Sequence, residues 1–128
     1  MTSSVLKCLG DRLSSVVPYA FGRWEGEAAN ENSCYWVLSD YTEAESLTRQ
    51  ENGIQQTNVI LRGFTRGPWL LMEKDKEKIE KNVPCTTILE DGTGVAIMYS
   101  SGMIVPTGDA GLKSMKINLT VQEWRTSA

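Results

Sequence analysis

The side chains that most often perform catalysis are absent from this chain or lie in unfavourable segments. The sequence contains no histidine, which removes the commonest general base and the commonest zinc ligand. Serine–histidine and cysteine–histidine nucleophile systems are therefore excluded within one chain. Carboxylate pairs such as Glu43 with Glu45, and Glu90 with Asp91, have the chemistry of an acid and a base or of a magnesium site. Both pairs lie in polar hairpin or turn segments, so no catalytic residue is predicted.

The three cysteines, Cys8, Cys34 and Cys85, lie far apart in the sequence and cannot all pair within one chain. Their spacing does not fit a four-cysteine zinc site, because only three exist and none are two residues apart. They are typical of reduced thiols packed as small hydrophobic side chains, with a reactive thiol as the alternative. No metal ion and no cofactor is predicted.

Two features that can indicate nucleic-acid or phosphate binding are weak here. The segment Asp91 to Gly94 lacks the lysine and the following helix of a phosphate loop, and it predicts a hairpin turn instead. The aromatic residues Tyr35, Trp36, Trp69 and Trp124 do not interleave with a basic patch. With 13 basic and 16 acidic side chains the net charge is −3, which disfavours a protein that holds nucleic acid through its phosphates.

Length and composition predict a single domain over residues 1–128. Two cores of this total length would each bury too little surface, and the hydrophobic share of 41% and charged share of 23% are those of a globular protein. No apolar run approaches the roughly 20 residues of a spanning helix. Thr2, Ser3 and Ser4 are typical of a helix cap rather than of a targeting segment. The expected place of the protein is the cytoplasm in which it is made, without membrane contact.

In the first third of the chain the apolar residues first recur at helical spacing and then follow the patterns of strands. An apolar stripe from Val5 to Val17 predicts a helix over residues 4–17, which Pro18 ends. A strand is predicted over residues 19–25, followed by a polar loop to Ser33. The segment Cys34 to Ser39 is apolar at both parities, which predicts an interior strand covered on both faces.

The stretch from Tyr41 to Gly67 predicts a long β-hairpin. Asn52-Gly53 is the dipeptide best able to form its two-residue turn, and both arms are rich in polar side chains. A ribbon of about ten residues per arm is marginal in water, so a partner surface is expected to cover it. Contacts with this partner surface are therefore predicted at Glu43, Glu45, Arg49, Glu51, Asn52, Gly53, Gln55 and Gln56.

The second half predicts one helix and several strands. A helix over residues 68–82 starts with Gly67-Pro68, and its stripe contains Trp69, Met72, Ile79 and Val83. Strands are predicted at 85–89, 95–99 and 103–105, with a turn around Ser101-Gly102, and a last alternating strand ends near Trp124. The fold class is α+β: an antiparallel or mixed sheet of about five to six strands, two helices packed on one face, and a long β-hairpin.

This order of elements resembles the tail terminator proteins of long-tailed phages and related neck proteins. The matching features span nearly the whole chain: the helix Val5 to Val17, the hairpin at Asn52-Gly53, the helix 68–82 and the closing strand Lys113 to Trp124. The resemblance implies a ring, commonly of six copies, that caps the tail tube and stops its polymerisation. A head-to-tail contact closed around an axis leaves two unlike ring faces, one for the tube and one for the neck.

The resemblance also implies partners and a location. The expected partners are further copies of the chain, the tail tube protein and the head connector or neck protein. DNA is expected to pass through the lumen without specific binding, and acidic groups such as Glu43, Glu45 and Glu51 would keep phosphates from adhering. The location is the tail–neck junction of a phage or prophage virion assembled in the bacterial cytoplasm. The family contributes no catalytic residues.

Other functions remain open. One is a different neck or head–tail connector protein of similar fold. Another is a cellular module that holds a small ligand between helix and sheet, with Trp36, Tyr99 and Trp124 as the lining. A third is a weak hydrolase or transferase that uses carboxylates alone, for which Glu90 and Asp91 would need perturbed pKa values.

Overall fold

The protein has an α+β fold. The computed structural model describes residues 2–17, 19–21, 34–43, 54–109 and 111–125, and for 19–21, 39–43 and 125 it describes the backbone alone. The elements in these ranges are α1 (Ser3–Ser14), β1 (Tyr19–Phe21), β2 (Tyr35–Glu43), β3 (Ile54–Thr65), α2 (Trp69–Asn82), β4 (Cys85–Ile88), β5 (Thr93–Val105) and β6 (Lys113–Arg125).

The described strands form one mixed sheet in the order β1-β2-β3-β6-β5-β4. All neighbours are antiparallel except β1 and β2, which run parallel. The longest regular pairing joins β3 to β6, from Ile54 opposite Trp124 to Thr65 opposite Lys113. These two strands lie at the centre of the sheet. The six described strands in a mixed sheet confirm the predicted fold class.

Both helices pack on one face of this sheet. Val5, Leu9 and Leu13 recur at helical spacing along α1 and have no exposed surface, which fits the predicted stripe. Side chains from α2 and from alternate strand positions complete the core: Met72, Ile79, Trp36, Leu38, Val59, Leu61, Val95, Ile97, Met115, Ile117, Leu119 and Val121. Burying each large aliphatic side chain contributes about 1.5–3 kcal/mol, so this face holds most of the hydrophobic stabilisation.

Both helices are bounded slightly differently from the prediction. The α1 helix ends at Ser14, because the N–H groups of Val16 and Val17 both bond to the Leu13 carbonyl in a tightened last turn. Val17 still reaches the core at 4% exposure. At the other helix, Pro68 precedes the first helical residue, and Trp69 is 37% exposed instead of joining the buried stripe.

The predicted turn at Ser101-Gly102 is wrong, because β5 runs without interruption from Thr93 to Val105. The register with β6 shifts between Tyr99 and Ser101, which is a β-bulge at Ser100. The bulge absorbs one residue, so Ser101-Gly102 remains in the ladder opposite Asn118 and Ile117. Serine and glycine were ambiguous here because both residue types are common in turns and in bulges.

The second arm of the predicted hairpin is not a solvated ribbon, because β3 pairs on both sides, with β2 and with β6. Its register places Glu43 opposite Thr57, whereas an unbroken two-residue hairpin at Asn52-Gly53 would place Glu43 opposite Arg62. The turn itself lies outside the described residues. The polar residues of β3 suggested that this arm of the hairpin is exposed to solvent. Because β3 is a central strand, however, the polar residues on one of its sides lie on the face that the helices cover.

Candidate functional site

The residues predicted to make subunit contacts are only partly placed. Gln55 is 7% exposed on the helix side of β3, and its Nε2 donates to the backbone carbonyl of Gln56 at 3.1 Å. Gln56 lies on the other side, where its Oε1 accepts from Gln122 Nε2 at 3.4 Å. Glu43 ends β2 and only its backbone is described. The remaining five, which lie outside the described residues, are Glu45, Arg49, Glu51, Asn52 and Gly53. A contact role stays a prediction for all eight.

The sheet face opposite the helices is a surface that neither described helix covers. We call it the open face. At one end of this face Val37 and Phe64 are buried against Tyr35 and Leu112, and Ser114 is buried beside them. The other side chains are half-buried or exposed, and they mix amides, hydroxyls, two cations and apolar groups. On β3, β6 and β5 they are Ile54, Gln56, Asn58, Ile60, Arg62, Lys116, Asn118, Thr120, Gln122, Trp124, Ala96, Met98, Ser101 and Met103. This composition resembles a wet protein interface more than a core.

Charge on the open face is positive at one end. Arg62 on β3 lies directly opposite Lys116 on β6, and the described side chains of this face include no carboxylate. The Arg62 guanidinium stacks over the Phe64 ring at 5.6 Å from the centroid, while its Nε has no hydrogen-bond partner among the described atoms. Like charges directly across a strand pair are destabilising, so an acidic group from another molecule would be favourable here.

A second uncovered surface is the outer edge of β5. The short strand β4 pairs only with Gly94 to Ile97, so the part of the chain that the structure describes supplies no strand neighbour to Met98–Val105 on that side. Met98, Met103 and Ile104 along this stretch are 41%, 52% and 60% exposed. An unpaired edge with apolar side chains is a template for pairing with another strand.

The three aromatic residues proposed as a ligand pocket do not converge. Trp36 has no exposed surface on the helix side, and its Nε1 donates to Asp75 Oδ2 at 3.0 Å. Tyr99 lies on the same side beside Lys76, and burial raises its pKa. Trp124 lies on the open face against Gly94. The arrangement therefore gives no shared cavity between these rings.

Two open grooves flank α1, and Asp91 and Arg12 in their lining are already engaged in hydrogen bonds. One, of about 500 Å³, lies between α1 and the β4–β5 turn, and the other, of about 560 Å³, lies beside the end of α2. Asp91 in the first groove accepts from Ser4 Oγ and from the Thr93 N–H, each at 3.0 Å, which fixes the turn. Arg12 borders both grooves and donates to the Val83 carbonyl at 2.8 Å and the Asn82 carbonyl at 2.5 Å.

Asp91, one member of the Glu90–Asp91 carboxylate pair, is therefore engaged in holding the turn. A hairpin turn connects β4 to β5, but it lies at Leu89 to Gly92 and not at the predicted Asp91–Gly94, because Thr93 and Gly94 already belong to β5. Gly92 in this turn adopts a φ of 87°. Across the described ranges, no group of three or more histidine, cysteine, aspartate or glutamate side chains is placed to hold a metal ion.

Two of the three thiols, those of Cys34 and Cys8, are unsuited to nucleophilic chemistry. Burial, and after it the Asp75 carboxylate, raises the pKa of Cys34 from 9.0 to about 12. Burial also raises the pKa of Cys8, with the neighbouring Cys85 adding to the effect. A reactive cysteine needs a lowered pKa, because the thiolate is the nucleophile. Packing of Cys34 in the core, at 2% exposure, confirms its prediction, whereas Cys8 and Cys85 are half-buried.

Sequence reasoning predicted helices on one face of the sheet, and with them the open face, but it missed the uncovered outer edge of β5. The available signals were the alternation of β6, which leaves one whole face polar, and the absence of charge in β5. Neither a protein-family model nor a curated protein matches this chain. None of the described helices is long and apolar enough to cross a membrane.

Proposed function

We propose that this protein is a structural subunit of a phage or prophage tail. In this proposal it is a tail terminator that forms a ring on the end of the tail tube, stops polymerisation of the tube and presents a joining surface to the neck. The observation that carries the proposal is the one-sided sheet, in which helices cover one face and leave a broad polar face open. Contact between surfaces, rather than turnover, is the use that such a face supports.

The two sides of the sheet differ in a way that suits a ring subunit. A ring that joins two different structures needs unlike faces, and a head-to-tail contact preserves that difference around the axis. The helix side is closed over a packed core, while the open face carries amides and the Arg62–Lys116 pair. We assign the open face to an axial contact with an acidic surface of the tube or the neck.

The competing functions have less support. A small-ligand module would need Trp36, Tyr99 and Trp124 around one cavity. Trp36, however, is fully buried in the core, and Trp124 lies on the opposite face of the sheet. A carboxylate hydrolase would need a free acid–base pair, but Asp91 is held by Ser4 and Thr93. Another neck protein of similar fold shares the surface argument and differs only in what it binds.

Electron microscopy of purified protein mixed with tail tubes tests the proposal. The expected result is a ring at one tube end and no further growth when fresh tube protein is added. Free particles with undecorated tubes would overturn it. Rings that bind a neck complex but never a tube would indicate that the protein is a connector and not a terminator.

A matched pair of charge reversals tests the axial contact. Lys116→Glu changes the open face and places a carboxylate opposite Arg62, which a strand pair tolerates. Lys81→Glu makes the same change on the exposed side of α2. Loss of tube capping is expected for K116E and not for K81E, with circular dichroism confirming both folds. Equal loss would remove the open face from the contact.

The segment between β2 and β3 needs its own test, and the deletion must spare β3. Removing residues 48–57 would delete Ile54 to Thr57, which pair with β6, and would damage the sheet. Replacing residues 46–51 by glycine and serine leaves both strands intact. The expected variant is folded but fails to form rings or to join tails. If joining survives in this variant, the predicted contact role of the segment is wrong.

A further inference from the structure

Arg62 on the open face carries a charge that the described structure leaves without a partner. Its side chain is half-buried, and its Nε is out of contact with solvent and has no hydrogen-bond acceptor among the described atoms. The ion pairs of the described residues lie elsewhere, on Arg66 and on Lys76. A guanidinium that is partly removed from water without an acceptor costs free energy. An acceptor supplied by another molecule would lower this cost.

Lys116 adds a second positive charge at the same place. It lies directly opposite Arg62 across the pair of β3 and β6, and both side chains are on the open face. Lys116 forms no ion pair with any described residue. Like charges directly across a strand pair repel each other, so one negative group between them would be favourable for both.

The two cations lie among apolar side chains. The Phe64 ring, whose centroid is 5.6 Å from the Arg62 guanidinium, is buried at this end of the open face together with Val37. On the other side, Met103 lies directly opposite Lys116 and is 52% exposed. The row of residues across β2, β3, β6 and β5 is therefore apolar at both ends and positive in the middle.

This composition fits one acidic side chain of a protein better than the backbone of a nucleic acid. Phosphate chains bind through many cations spread along a basic surface, whereas the described open face has two cations and the whole chain has a net charge of −3. A glutamate or aspartate supplies a single charge, and its planar carboxylate matches the fork of a guanidinium. Apolar neighbours of that residue would pack on Met103.

We infer that Arg62 and Lys116 together bind the carboxylate of one acidic residue of a partner protein, with an apolar neighbour of that residue on Met103. No hydrogen bond holds the Arg62 Nε in the described structure, so a small rotation of the side chain presents its N–H to the carboxylate. That the partner is the tube or the neck rests on the proposed function. Binding of a carboxylate is a property of this chain alone and is testable without tails.

NMR titration of the isotope-labelled protein with a blocked Leu-Glu-Leu peptide tests the site. The peptide presents one carboxylate between two apolar side chains, and Leu-Gln-Leu is the matched probe without the charge. The expected result is a saturable shift of the Arg62 Nε–Hε signal, with Leu-Gln-Leu binding at least about fivefold more weakly. Arg12 and Arg66 already donate to acceptors within the chain, so their signals serve as controls and should not shift.

Three variants separate the site from general effects of charge. Lys116→Gln should weaken binding of Leu-Glu-Leu by at least about threefold, whereas Lys81→Gln on the exposed side of α2 should bind it like the wild type. Lys116→Glu supplies a carboxylate opposite Arg62 from within the sheet. It should therefore abolish binding of the peptide and raise the midpoint of thermal unfolding.

The outcomes distinguish this site from the tail function. No shift of the Arg62 signal, equal binding of the two peptides, or equal losses in K116Q and K81Q would overturn the site, even if the protein caps tubes. Peptide binding by a protein that never caps a tube would support the site and remove the tail function. Inorganic phosphate that shifts the Arg62 signal at a lower concentration than the peptide would overturn the assignment to a carboxylate.

Discussion

Gly63 is the residue at which a single methyl group should be felt most directly. An added Cβ would meet three ring carbons of Trp36 at 2.6–2.7 Å, and Trp36 cannot move because it has no exposed surface. Gly63→Ala is expected to lower the free energy of unfolding by about 1–3 kcal/mol, as overpacking of a filled core does. Urea denaturation of the wild type and the variant measures this difference in the free energy of unfolding.

The control is Gly108→Ala, because nothing lies within 4 Å of a Cβ built at Gly108. Its change in stability should stay within about 0.5 kcal/mol. Equal effects of the two substitutions would mean that close packing on Trp36 is not what requires glycine at position 63.

Ionisation of Cys34 is expected to lower the stability of the fold at alkaline pH. Its pKa is about 12 in the folded protein against an ordinary value of 9.0, so folding favours the neutral thiol. The stability that this thiol contributes is complete below pH 9 and is lost as the pH rises toward 12. The stability advantage of the wild type over Cys34→Ala should therefore shrink with pH across that window, as measured by denaturation at several pH values. A constant difference would contradict the prediction.

At the scale of elements, one arginine connects the two helices. Arg12 of α1 donates to the Val83 and Asn82 carbonyls at the end of α2, where unpaired carbonyls and the helix dipole favour a cation. Arg12→Ala is expected to cost about 1–2 kcal/mol of stability. The exposed Lys7→Ala on the same helix serves as the control, with a change within about 0.5 kcal/mol. Thermal unfolding of both variants measures the difference.

Helices and strands were predictable from the sequence where the apolar residues followed a single spacing, either helical or alternating. Leu9 and Leu13 on the first helix, and Ile117 and Leu119 on the last strand, lie on the face that their spacing indicated. The prediction was wrong at Ser101-Gly102. The second arm of the hairpin is a strand paired antiparallel to β2, as predicted, but it is central in the sheet and not solvated. A bulge and a turn use the same residue types, and polar residues on a central strand have the same pattern as those of a solvated ribbon.

At the scale of the whole molecule, the net charge determines whether the protein is expected to bind DNA. A net charge of −3 opposes retention of phosphates despite the Arg62–Lys116 pair on the open face. No binding of a labelled duplex is therefore expected at physiological ionic strength, as measured by fluorescence anisotropy. Salt-dependent binding that Lys116→Ala abolishes would assign the open face to nucleic acid instead.

The sequence by itself determined the α+β class, the helix-covered side of the sheet and the absence of histidine-based chemistry. These properties follow from composition and local period, which act over a few neighbouring residues. Tertiary structure alone decided which strand lies at the edge of the described sheet and which residues of distant strands lie side by side. Strand order and register separate Trp36 from Trp124 and put β3 at the centre of the sheet. They also put Met103 on an edge that no other described strand covers. Contacts between distant segments set that order, and no local pattern encodes them.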